Sequence, residues 1–203
     1  MKVYPASAIH NVAVVGHNGV GKTTLVSALL HEAGATPRFG RVEEGNTPTD
    51  FDPEEIERKI SISLAVASLE WKKKKVNLID TPGYGIFVSE MICGLKAADA
   101  ALLVVDAVAG VQVQTEKAWK LCDELGLPRL VVVNRMDREN AATRNECIEP
   151  ANPCRFQSAP TAKCFWLNGT PASLGEASLT QRVSGQLRFR RYPPKDRVEK
   201  ERA

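Results

Sequence analysis

The chain has 203 residues, 43% of them hydrophobic, and a formal net charge of +3; that is enough for one core of ordinary size and compatible with one domain plus part of a second. No apolar run reaches the roughly 20 residues that span a bilayer, and the N-terminal MKVYPASAIH has no apolar signal core, so a membrane is excluded and a cytoplasmic monomer is expected. The five cysteines contain no Cys-x-x-Cys pair and no histidine follows His31, which argues against a disulfide framework and a zinc site and leaves Cys93 and Cys122 as packing residues.

The short β-branched run Asn11 to Val15 reads as a buried parallel strand. It runs directly into Gly16-His17-Asn18-Gly19-Val20-Gly21-Lys22-Thr23, followed by Thr24. Leu25, Leu29 and Leu30 then recur at helical spacing up to a stop at Gly34. Strand, glycine loop and helix in this order match the phosphate loop Gly-x-x-x-x-Gly-Lys-Thr. Its glycines let consecutive N–H groups from His17 to Thr24 face phosphate oxygens, and the helix N-terminus adds partial positive charge. Lys22 is expected to reach the β- and γ-phosphates, and the Thr23 hydroxyl to ligate Mg²⁺.

Residues 35–59 are polar and lack a period, so a long loop is expected, with one helical turn near Asp52 to Arg58. SISLAVASLEW alternates at Ile62, Leu64 and Val66, then at Leu69 and Trp71, as a half-exposed strand does; Lys72 to Lys75 form a charged turn, and VNLID returns as a buried strand. The lysine run reads either as a solvated turn or as a contact for ribosomal RNA. Asp80 ends the returning strand, where it can hold Mg²⁺ through water, and the Gly83 N–H can meet a γ-phosphate.

IFVSEMICGLKAADA reads as an amphipathic helix, ALLVVDA as a buried strand, VQTEKAWKLCDELG as a helix ended by Gly126, and LPRLVVVN as another buried strand. Alternating strands and helices imply an α/β fold of three layers with a mostly parallel sheet and one antiparallel hairpin strand. The Asn134-Arg135-Met136-Asp137 segment selects the base. A carboxylate at Asp137 can accept from N1–H and the N2 amino group of guanine, which adenine does not present. Asn134 can tie this loop to the phosphate loop and reach N7. Arg135 either lies along the purine face or is a solvated charge. The expected ligand is therefore GTP or GDP with Mg²⁺; an ATPase or kinase is disfavoured.

Taken together, GHNGVGKTTL, IERKISIS, VNLIDTPGYGIFVSE, VVDAVAGVQVQTEKAW and VVVNRMDREN resemble the P-loop G domain of translational GTPases, elongation factor G and its elongation factor G-like paralogues, over about residues 8–141. The resemblance implies a GTPase whose partner is the ribosome, and it calls for neither DNA nor a membrane. It places the first switch at 40–60, with Ser61 as its hydroxyl ligand for magnesium. It also implies that Tyr84 stands where elongation factor G carries a histidine that positions water. Tyr84 then marks either a slow or differently activated hydrolase, with Lys22 and Gly83 as the other catalytic groups, or a ring packed against the second switch. A GTP-binding module with little turnover is the rival reading.

After Ala141 the rhythm stops. Residues 1–140 carry 16 Lys/Arg and 18 Asp/Glu, a balance of −2, whereas 141–203 carry 11 and 6, a balance of +5, along with six of the twelve prolines. The expected division is a G domain at 1–141 and a basic tail at 142–203, disordered or irregular and lacking the next helix and strand. Thr161-Ala162-Lys163 is a weak match to the fifth guanine motif.

Overall fold

The computed structural model describes residues 2–139 and 162–166. It contains β1 (Ile9–Gly16), α1 (Lys22–Glu32), α2 (Pro53–Arg58), β2 (Ala65–Trp71), β3 (Lys74–Asp80), α3 (Val88–Lys96), β4 (Ala100–Asp106), α4 (Val113–Glu124), β5 (Arg129–Asn134) and β6 (Ala162–Trp166). The strand order is β2-β3-β1-β4-β5-β6. All neighbours pair in parallel except β2 with β3, so the expected α/β sheet with a single antiparallel hairpin strand is what the chain forms.

The central strands are apolar on both faces because both are covered. Ala13, Val15, Leu103 and Val105 pack with Met91 and Leu95 of α3 and with Ala118 and Trp119 of α4. Val14, Leu102 and Val104, one residue out of phase, pack with Leu25, Val26 and Leu30 of α1. Period-two alternation thus splits one apolar run between two cores. All the loops that follow β1, β3, β4 and β5 leave the same edge, the carboxyl ends of the parallel strands, where ligand crevices form in open α/β sheets.

Four expectations change. The strand expected from Ser61 begins at Ala65, and its inward residues are Ala65 and Leu69, while Val66 is 62% exposed. Small alanines, invisible to a search for bulky residues, hold the buried phase. The turn is only Lys72-Lys73, both with positive φ (46° and 66°), and Lys74 and Lys75 already belong to β3. Cys93 is exposed on α3 rather than packed, whereas Cys122 is buried. Finally, the sequence beyond Ala141 does contain a strand: β6 pairs with β5 from Arg129↔Ala162 to Val133↔Trp166. An edge strand needs only a backbone ladder, so composition did not reveal it. This register puts Ala162 and Lys163 at the amino end of β5, the opposite sheet edge from a base-binding loop; Thr161, the first residue of that weak match, lies outside the described residues. The rest of the expected tail, 142–161 and 167–203, lies outside the described residues.

Candidate functional site

The phosphate loop is shaped by its glycines. Gly21 has φ of 90°, and a Cβ there would come within 2.5 Å of Asn134 Nδ2; Gly16 leaves β1 so close to β4 that a Cβ would meet the Val104 carbonyl oxygen at 2.4 Å. Only glycine fits both constraints. Val20 is buried, His17, Asn18 and Gly21 are half-buried, and Gly19 is exposed. α1 begins at Lys22 with no side-chain cap, so no capping side chain takes up the first N–H groups of the helix, which an anion can use. Lys22 is buried, and its Nζ donates to the carbonyls of Gly16 (3.2 Å) and His17 (2.8 Å). Burial lowers its pKa to about 8, with Asp80 opposing the shift. His17 is likewise pushed down, by burial and then by Lys22. Thr24 is half-buried in the first turn of α1.

The three residues expected to hold magnesium come together. Thr23 Oγ1 lies 3.1 Å from Ser61 Oγ, and Asp80 is 2% exposed at the end of β3. Burial raises the Asp80 pKa to about 6, against the attraction of Lys22 and hydrogen bonds from Thr23 and Thr49. Asp80 Oδ2 accepts from Thr49 Oγ1 at 3.0 Å, while its Oδ1 is buried with no partner.

Sequence reading missed the residues that support this cluster. Ser61 Oγ donates to Asp50 Oδ1 at 2.7 Å, and Thr47 Oγ1 donates to Asp50 Oδ2 at 3.0 Å. Thr47, Thr49 and Asp50 are all buried, although TPTD reads as an ordinary polar loop. Nothing local distinguishes a buried Asp from a solvated one. The one available signal was the length of the loop itself.

Gly83 lies against the phosphate loop: a Cβ there would fall 2.4 Å from Lys22 Nζ and 2.6 Å from the Asn18 nitrogen. Thr81 anchors this turn, its Oγ1 donating to the Val14 carbonyl at 2.7 Å. Tyr84 follows at the rim, 38% exposed, and its carbonyl accepts from Phe87 N.

At the other end of the site, Asn134 Nδ2 donates to the Val20 carbonyl at 2.8 Å, tying β5 to the phosphate loop as expected, and Asn134 Oδ1 is buried without a partner. Arg135 is not a solvated charge. It adopts φ of 63°, and its guanidinium donates to Asp106 Oδ2 at 2.9 Å. Burial pushes Asp106 up, but N–H donors from Val108 and Ala109 together with Arg135 outweigh it and hold the carboxyl below its usual range. Asp106, at the end of β4, was also missed. Asp137 is exposed in the turn after Arg135.

Residues 7–167 match the family model of the elongation factor Tu GTP binding domain. Among curated relatives, "Ribosome-releasing factor 2, mitochondrial" of Candida albicans is 45% identical over 136 residues, which are 67% of this chain and 17% of that protein. "Elongation factor G-like protein" of Mycobacterium tuberculosis is 48% identical over 136 residues, 67% of this chain and 19% of that protein. A crystal structure of a Thermus thermophilus protein superposes with a TM-score of 0.67 at 48% identity, covering 70% of this chain and 21% of that one. The chain therefore spans less than a fifth of the length of the two curated relatives.

Proposed function

The chain belongs to the elongation factor Tu GTP-binding-domain family, and from that premise we propose that it binds GTP and GDP with Mg²⁺ and hydrolyses GTP. The observation that carries the reading is the convergence of Thr23, Ser61 and Asp80, from three separate segments, beside the phosphate loop. Their donors are all oxygen, as Mg²⁺ prefers, and Asp80 Oδ1 is buried with no hydrogen-bond partner. Thr23 and Ser61 would hold the ion directly and Asp80 through water. When bound, the ion supplies positive charge at the phosphate oxygens.

The protein's own part in the reaction is positioning and electrostatics. Backbone N–H groups from His17 to Thr24 and the Lys22 ammonium hold the phosphates. The Gly83 N–H donates where charge grows on the terminal phosphoryl group. Asn134 fixes the base loop against Val20, Asp137 accepts from the guanine edge, and Arg135, steadied by Asp106, offers its stem to the purine face. The Tyr84 hydroxyl orients water but offers no imidazole, so turnover is slow until a partner contributes. A tyrosine in place of an imidazole at this position also favours the second reading, a nucleotide-binding module with little turnover.

The ribosome is the proposed partner, on the strength of the Candida relative's name. Among the described residues no helix is long and apolar enough to cross a membrane, and the proposed compartment is any that contains ribosomes. The deciding experiment is single-turnover hydrolysis of γ-labelled GTP by the full chain, with and without ribosomes. GTP but not ATP should compete for binding. Binding with no hydrolysis in either condition leaves the module reading, and equal competition by ATP overturns the base assignment.

A further inference from the structure

Glu55 is the one buried residue between Phe51 and Lys59, and it is charged. It is only 1% exposed, in a segment whose apolar side chains, Phe51 and Ile56, are 68% and 39% exposed. Burying a carboxylate in place of the available hydrophobes costs free energy unless hydrogen bonds replace its water. They do. Oε1 accepts from the backbone N–H of Ile62 (2.8 Å) and of Ser63 (3.0 Å), and Oε2 accepts from Asp52 N (3.2 Å). The Glu55 carbonyl accepts from Ile60 N at 3.1 Å.

Residues 60, 62 and 63 are thus all bound to Glu55, and the residue they enclose is Ser61. Its hydroxyl faces Thr23 on one side and Asp50 on the other. A helix cap needs only the bond to Asp52, which Glu55 makes as part of the capping box with Asp52. The two bonds to Ile62 and Ser63 add nothing to α2. They fix the chain on the far side of Ser61, and Leu64 N continues the anchoring by donating to Glu90 Oε2 at 3.1 Å on α3. Opposing the clamp, Lys59 ends α2 at φ of 56°, a conformation that disfavours residues other than glycine.

We infer that Glu55 is a positioning residue: its carboxylate clamps the loop 60–63 so that the Ser61 hydroxyl is presented beside Thr23, and so sets how strongly Mg²⁺ supports GTP binding. This rests on the proposed function for its consequence, though not for its geometry. A metal ligand at Ser61 serves only a nucleotide state that uses it, so the clamp acts on GTP more than on GDP.

The test uses the full chain and its Glu55→Ala and Glu55→Gln variants. Trypsin cleavage after Arg58 and Lys59 is timed by mass spectrometry with GDP or the non-hydrolysable analogue GppNHp bound, and hydrogen exchange at Ile62 and Ser63 is followed without nucleotide. Losing a charge-assisted bond should speed both by about tenfold or more in Glu55→Ala. The same variant should need about tenfold more Mg²⁺ for GppNHp binding, while its GDP affinity stays unchanged. Glu55→Gln keeps an oxygen for Ile62 and Ser63 and should recover most of each effect. Wild-type cleavage and exchange in Glu55→Ala would overturn the clamp. Equal loss of GDP and GppNHp affinity in both variants, with a lower melting temperature, would make Glu55 a general brace and overturn it too. If the unaltered chain binds neither nucleotide, the functional reading fails, and the exchange measurement still decides whether Glu55 holds the loop.

Discussion

Gly83→Ala is the substitution for which the structure gives the sharpest expectation. An added Cβ would lie 2.6 Å from the Asn18 nitrogen and 2.7 Å from its Cα, roughly 0.8 Å inside ordinary contact distance. Lys22 Nζ, at 2.4 Å, can swing aside, but the backbone of the phosphate loop is held by the packing of Val20 and by Asn134. The turn carrying Gly83 therefore has to move. Overpacking of this kind costs about 1–3 kcal/mol. Gly83 is not among the glycines with positive φ, so alanine is tolerated there and the less flexible unfolded chain returns about 0.4–1 kcal/mol. The net loss is about 1 kcal/mol, or a melting temperature lower by about 2–4 °C. The functional effect should be far larger. Displacing one preorganised N–H donor from developing charge costs about 10²–10³ in rate. Calorimetry, titration with a fluorescent GDP and single-turnover hydrolysis separate these effects. Turnover near that of the unaltered chain would refute the assignment of the Gly83 N–H to the terminal phosphoryl group. Collapse of GDP affinity would mean instead that the phosphate loop deformed.

Three further outcomes are expected. Asp137→Asn should weaken GTP binding about 100-fold or more, by removing two charge-assisted bonds, and should favour xanthosine nucleotides; an unchanged GTP affinity from competition titrations would refute the base assignment. Tyr84→His should raise single-turnover hydrolysis without changing GTP affinity, because imidazole handles water better than a phenol at neutral pH; equal rates would remove Tyr84 from the chemistry. The nucleotide-free chain should show a pH signature in urea unfolding. Asp80 is pushed up to about 6 by burial, so the native state takes up its proton before the unfolded chain does, and the Asp80 contribution falls as pH rises from about 4 to 6. Lys22 is pushed down to about 8, so its penalty is complete below 8 and is relieved as pH rises towards 10.5. Asp80→Asn should flatten the acid limb only; an unchanged acid limb would refute the burial account.

What could be read from the sequence was what local spacing encodes. The phosphate loop, Asp80, Asn134 and Asp137 each sit at or just after a strand end, so residue type and strand order together located them. The phase of β2 was misread because Ala65 faces the core while Val66 faces solvent. β6 escaped because it joins the sheet through its ladder with β5. The support beneath Ser61 is a different case. Asp52 and Glu55 form a capping box at the start of α2, but the bonds that Glu55 accepts from Ile62 and Ser63 span seven and eight residues across a helix end, and no periodicity encodes such a reach. The physical consequence separates this loop from the sheet. The strands are held by apolar area, which a bound ligand does not alter. The 47–63 segment is held by Asp50, Glu55 and the hydroxyls of Thr47, Thr49 and Ser61, with Phe51 and Ile56 exposed and Lys59 in a disfavoured conformation. Hydrogen bonds to carboxylates contribute about 1.5–3 kcal/mol each, net of those the same groups would make with water. These bonds depend on charge where the strands depend on apolar area, so a change of charge beside Asp80 is expected to shift Ser61 before it disturbs the sheet.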